Sequence, residues 1–387
     1  MDVHPQEEFQ EMRRDIKGLS LCASLSILLT CAQAAPDSSF IGPLKAITKV
    51  ASTVPSNGDV NPYGVAVVPQ TTGSLVKGDI LVSNFNNSKN LQGTGTTIVA
   101  VTPGGSVKLF AHIDATKLPG PCPGGVGLTT ALVVLRSGWV IVGSLPTADG
   151  MAATAKAGCL IVLNRFGQPV ETLSGGEING PWDMTALDLD RVAVLFVTNV
   201  LNGTVAGEGA IVRNGTVLRI VLSLPEESES ESDHDGQAAP RELARTVIGS
   251  GFEQKTDPNA LVIGPTGLGL GENGTLYVAD TLQNRIAAIP GALFRNGSAG
   301  TGDTVSQGKA INGPLGLAIA PNDNILTVNS NDGNMVETTP GGVQASVRAV
   351  DATGMGAGTL FGLATTTERD GVYFVNDGNN ALYLLHH

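Results

Sequence analysis

One phrase recurs along this chain and restricts what it can fold into. Its clearest copy reads Gly264-Pro265-Thr266-Gly267-Leu268-Gly269-Leu270, a turn at Glu272-Asn273-Gly274, then Leu276-Tyr277-Val278-Ala279-Asp280. A second copy runs from Gly313-Pro314-Leu315-Gly316-Leu317 to Leu326-Thr327-Val328-Asn329, and a third from Gly362-Leu363-Ala364 to Val372-Tyr373-Phe374-Val375-Asn376-Asp377. Earlier copies start at Pro62-Tyr63-Gly64, near Gly127, and at Gly180-Pro181-Trp182-Asp183. Each copy alternates apolar and small residues, turns tightly and continues into a β-rich run. That is the signature of paired strands rather than helices.

Six copies follow one another, anchored at Gly64, Gly127, Asp183, Gly267, Gly316 and Gly362, at spacings of 63, 56, 84, 49 and 46. Units near 40–50 residues with four strand-like segments each predict an all-β, six-bladed β-propeller. The last copy ends after three strands, Ala381 to Leu385 closing it, and a spare strand at Leu44–Val50 precedes the first. Pairing the two would complete the last blade and remove free sheet edges. The links between second and third strands are long in the first three copies (84–96, 144–157 and 199–209) and short in the rest. Loops of that kind often carry function. An acidic insertion at 225–241 reads as a solvated loop on the opposite face.

The N-terminus reads as a cleaved export signal over residues 1–34. Arg13, Arg14 and Lys17 precede an apolar run from Leu19 to Leu29, and Ala32-Gln33-Ala34 supplies small residues for cleavage. Acidic residues before Met12 do not suit such a leader, so Met12 is the expected start. The mature chain, 35–387, is expected to be one propeller domain, periplasmic or extracellular, with no transmembrane segment. Outside the leader only Cys122 and Cys159 remain; in an oxidising compartment they are either a disulfide or two buried thiols. The net charge of −12 argues against a nucleic-acid partner.

The pattern Gly-Pro-x-Gly-Leu, then Gly-x-Leu-Tyr-Val-Ala-Asp, then Asn284-Arg285-Ile286, resembles the NHL repeat of six-bladed propellers. A more distant resemblance is to gluconolactonase-like propellers. That family holds a divalent ion in its channel with Glu, Asn and Asp, so calcium or magnesium is the cation it implies here. Its opening Glu motif has no counterpart in this chain. The oxygen donors that stand nearest the predicted channel are Asp183, Asn61 and Glu177. Hard cations prefer such ligands. Asp183 draws notice because it stands where most copies carry Gly. Its alternative role is to cap backbone N–H groups.

Other chemistries have little support. Of five histidines only His112 falls within a blade, which leaves no three-His zinc site and no Ser-His-Asp arrangement. Gly269 to Gly274 match GxGxxG, but a strand follows where a dinucleotide site needs a helix. Trp182 beside Asp183, and the strand-ending Asn84, Asn199, Asp280 and Asp377, are the remaining candidates for ligand contact. Their competing roles are blade packing and turn formation. With no nucleophile motif, no cofactor is predicted. The first expectation is a non-enzymatic scaffold that binds an unidentified small molecule or protein on the face bearing the three long loops. The alternative is a lactonase-like, divalent-metal-dependent hydrolase or lyase with an oxygen-ligand site in the channel.

Overall fold

The computed structural model describes residues 39–225, 238–258, 260–351 and 358–387. Among them there is no α-helix; β-strands and a few single 3-10 turns account for the regular structure. The first strand, β1 (Ala46–Ser52), belongs to the last blade. Blade one is β2 (Val60–Val67), β3 (Ile80–Asn86), β4 (Thr97–Val101) and β5 (Val107–His112). Blade two is β6 (Leu128–Val134), β7 (Val140–Ser144), β8 (Cys159–Leu163) and β9 (Pro169–Leu173). Blade three is β10 (Pro181–Asp188), β11 (Val192–Asn199), β12 (Val212–Ser223) and β13 (Arg241–Asp257), with a short β14 (Leu261–Ile263) folded back on the end of β13.

Blade four is β15 (Pro265–Leu270), β16 (Leu276–Asp280), β17 (Arg285–Ile289) and β18 (Asp303–Gln307). Blade five is β19 (Pro314–Ile319), β20 (Ile325–Asn329), β21 (Asn334–Thr338) and β22 (Gln344–Ala349). Blade six is β23 (Leu360–Thr365), β24 (Val372–Asn376) and β25 (Ala381–His386), completed by β1, which pairs antiparallel with β25 from Ala46 opposite His386 to Ser52 opposite Ala381. The innermost strands pack in a closed ring: β2 on β6, β6 on β10, and so on to β23, which packs back on β2. The six-bladed propeller is thus present, closed by the strand that the sequence left spare.

Burial explains the layering. Second strands such as β3, β7 and β16 are buried along their whole length, because both faces of a blade are covered by neighbours. Five apolar clusters lie between successive blades. A sixth joins blades six and one and continues across the axis. Outermost strands such as β5 and β22 are half exposed.

The recurrent glycine has a steric cause. A Cβ on Gly267 would overlap the backbone at Leu315 and Leu317 of the next blade. One on Gly316 would meet Phe361, and one on Gly362 would meet Tyr63. Innermost strands touch backbone to backbone at these points, which only glycine permits. In blade two the counterpart is not Gly127. There Leu128 pairs with Ser144 and Leu132 with Val142, so one extra residue enters the bulge and Ala131 takes the place.

The long loops fall between β3 and β4, β7 and β8, and β11 and β12, on the face where innermost strands begin. That face is termed the upper face. Residues 226–237, the acidic insertion between β12 and β13, lie outside the described residues, as do the leader at 1–34 and Met12. No helix among the described residues is long and apolar enough to cross a membrane.

Candidate active site

Every innermost strand ends its sheet, so its inner edge has no strand partner and faces the axis. The six edges enclose a cavity of about 460 Å³, to which all six blades contribute. Its walls run from Asp183 and Thr130 inside to Val67, Val134, Asp188, Leu270, Ile319 and Thr365 at the strand ends. Asp183 and Thr130 are buried, whereas these strand ends are all part-exposed, so the cavity opens on the lower face.

Asp183 owes its position to a bulge. Pro181 pairs with Asn199 and Met184 with Val197, which leaves Trp182 and Asp183 opposite Thr198 alone. The Thr198 hydroxyl accepts from the Asp183 N–H at 3.0 Å and donates to the Thr266 carbonyl of the next blade at 2.9 Å. The carboxyl group bridges the same two blades. Its Oδ1 accepts from Met184 N–H at 2.8 Å and its Oδ2 from Leu268 N–H at 3.0 Å.

Among the described residues no cation balances this carboxyl. Burial pushes its pKa up to about 8, and the two amides only partly offset that. Other buried carboxylates are provided for differently. Asp280 pairs with Arg285 at 2.8 Å. Asp59 accepts from Thr96 and Thr97. Glu337 collects Ser39, Phe40, Ile41, Asn322 and Asn324 as donors and is held below the ordinary range despite its burial. Asp183 therefore titrates near neutrality at the inner end of an open cavity. Thr130 lines the same cavity, is 4% exposed, and its hydroxyl has no hydrogen-bond partner.

The upper end of the channel is closed. Tyr63 stacks on Phe361 at 3.8 Å between ring centroids and on Phe85 at 4.5 Å, with Trp182 tilted against both Tyr63 and Phe361. Over this plug lies the β13–β14 hairpin, whose Leu261 and Val262 join the same apolar cluster. The Trp182 indole N–H donates to the Val262 carbonyl at 3.2 Å, and Gln92 of blade one donates to Pro258 at 2.9 Å. The hairpin thus spans from blade three to a long loop of blade one.

The other residues singled out from the sequence take up separate places. Trp182 is 3% exposed and packs in the plug rather than standing in an open mouth. Asn84 donates to Thr53 and Thr97, and Asn199 accepts from Asn179, each tying its second strand to neighbouring chain. Blade six ends its second strand on Asn376, so Asp377 lies one residue beyond, where burial raises its pKa to about 7. Asn61 is buried with its N–H on the Asn380 side chain, and Glu177 is exposed in the link from β9 to β10. Neither lines the cavity that Asp183 borders. Among the described residues no three His, Cys, Asp or Glu side chains come together as a metal centre. Cys122 and Cys159 are joined by a disulfide that ties the approach to blade two to its third strand.

Thr130 and the plug were not visible in the sequence. Thr130 sits in the one blade whose bulge carries an extra residue, and the plug brings Tyr63, Trp182 and Phe361 together from three different blades.

No protein-family profile matches the chain, and no curated protein resembles it in sequence. Solved structures share its fold. A gluconolactonase from Xanthomonas campestris is 13% identical with a TM-score of 0.52, over 88% of this chain and 89% of its own. A luciferin-regenerating enzyme is 10% identical with a TM-score of 0.55, over 88% of this chain and 95% of its own. Regucalcin, a calcium-binding protein from Agrobacterium tumefaciens, is 11% identical with a TM-score of 0.50, over 86% and 92%. Such identities establish a common fold. The first functional expectation is corrected here: solved propellers that share this fold include enzymes, a gluconolactonase and a luciferin-regenerating enzyme among them, and the non-enzymatic scaffold is not kept.

Proposed function

We propose that this chain is a lactonase-like hydrolase whose acid–base group is Asp183. One observation carries the reading: a buried carboxyl group without a cation lies at the inner end of an open cavity. A group that titrates near the working pH is suited to take and return a proton. The cavity is of ordinary size for a small ligand. Its free strand edges offer backbone N–H and C=O groups to a hydroxylated or cyclic ester.

The carboxylate form of Asp183 takes a proton from water as the water oxygen bonds to the lactone carbonyl carbon. The ring C–O bond then breaks, and Asp183 returns the proton to the leaving alkoxide. The product is a hydroxycarboxylic acid, and the enzyme regains its starting state.

A resident calcium or magnesium ion does not fit this donor set. Asp183 is the sole carboxylate at the inner end, and both its oxygens accept amide N–H bonds. Asp188, at the rim, accepts from Arg136 and Asp190. Hard cations need six or more oxygens, and beyond these carboxylates the side chains of the wall offer only the hydroxyls of Thr130, Thr185 and Thr365. No step is routed through a metal. The NHL-type reading of the repeats and export through residues 1–34 complete the proposal; the Cys122–Cys159 disulfide is consistent with an oxidising destination.

The test is a panel of five- and six-membered lactones assayed with the mature protein and with Asp183→Asn. Hydrolysis by the former and a loss of two or more orders of magnitude in the latter is expected. Equal activity in both would remove Asp183 from the chemistry.

A further inference from the structure

A second recess, of about 280 Å³, lies on the upper face beneath the β13–β14 hairpin, between it and blades four and five. It is separated from the Asp183 cavity by the aromatic plug, since Phe361 lines the recess while Gly362 to Thr365 line the cavity below. The recess has a divided wall. Lys255 and Asp257 stand two residues apart on β13, hence on the same strand face. Ile263, Leu315 and Phe361 form an apolar side, and Asn284 adds an amide.

Lys255 forms no ion pair or hydrogen bond with any described residue, whereas the Asp257 carboxylate is held in place by the Ala260 N–H at 3.1 Å. An ammonium group left unmatched in a recess is a place for an external anion. The carboxylate of Asp257 stands about two strand rises, roughly 7 Å, along the same edge. One small ligand that carries both charges would meet both. We propose that this recess binds a zwitterionic α-amino acid with an apolar side chain. Its carboxylate meets Lys255, its ammonium meets Asp257, and its side chain lies against Ile263, Leu315 and Phe361. This site rests on its own residues and not on hydrolysis at Asp183.

The test uses the whole mature protein and titration calorimetry with L-leucine and L-phenylalanine. Two analogues, 3-phenylpropanoate and phenethylamine, each lack one charge. Saturable binding of an amino acid, at least tenfold weaker for each analogue, is expected. Lys255→Gln and Asp257→Asn should each weaken binding tenfold or more with Tm unchanged, while Asp183→Asn binds as the parent does. Amide chemical-shift changes at Leu315 and Phe361 on titration of the unaltered protein give a readout that needs no variant. No saturation by about 10 mM of either amino acid, or shifts confined to other residues, would overturn the proposal. So would equal binding of 3-phenylpropanoate, which would mean a bare anion site.

Discussion

The two ends of the channel are built from the same six strands and could hardly differ more. At the upper end the strands supply large rings, and a hairpin lies over them. At the lower end they supply aliphatic side chains and free backbone edges around open space. Asp183 stands at the boundary, one residue below Trp182 in the same bulge. A pseudo-symmetric ring thus acquires direction from a handful of substitutions at equivalent positions. The difference also separates roles: the upper end carries packing energy, and the lower end carries a buried carboxyl group whose pKa is raised to about 8.

The sharpest break of this comparison is at Asp183. Asp183→Asn should lower kcat/KM for a hydrolysed lactone by about 10²–10⁴, while Phe85→Leu, in the plug, leaves it within a few fold; steady-state kinetics decide. Next in size is the plug itself. Trp182→Ala or Phe361→Ala should cost about 3–5 kcal/mol, the usual cost of deleting a buried aromatic, seen as a fall in Tm with no matching change in KM for the fraction that stays folded.

The third effect is pH dependence. Asp183 and Asp377 hold their protons in the folded state up to about 8 and about 7, whereas unfolded aspartates release them near 4. Unfolding therefore releases protons in this range, and stability should fall as pH rises from about 4 to about 8. Denaturant melts across that range should show the slope, and Asp183→Asn should flatten its upper part. Activity should move the other way, rising through about pH 8 as the carboxylate form appears.

The smallest effect concerns neither end. Glu337→Gln leaves fewer acceptor sites for the donors from Ser39, Phe40 and Ile41. A loss of about 1–3 kcal/mol and faster hydrogen exchange at residues 39–42 are expected. Because the Glu337 pKa is lowered, this contribution is present above about pH 4.5 and fades as the acid titrates.

The fold could be read because a propeller repeats its local code: each glycine marks a backbone contact and each apolar run a buried strand. Asp183 could be found for the same reason, as a departure from the glycine at that point. What stayed hidden depends on contacts between blades. The alignment at Gly127 slipped because the extra bulge residue before Leu132 leaves no mark in composition. Ligand contact and blade packing stood level for Trp182 because its partners Tyr63, Phe361 and Val262 are remote in sequence. The hairpin at 255–263 was not foreseen either, since β13 runs on past its blade with no glycine or proline inside it before Pro258 other than Gly249 and Gly251.

The pairing of β1 with β25 has a consequence for how the chain is made. Thr48 and His386, bonded at 2.9 Å, are separated by 338 positions. A ribosome delivers β1 long before β25, so the outer strand of the last blade has no partner to pair with until β25 has been made. Until then the ring is an open arc with two raw sheet edges, a shape prone to association with other chains. Maturation is therefore a race between clasping the circle and finding the wrong partner.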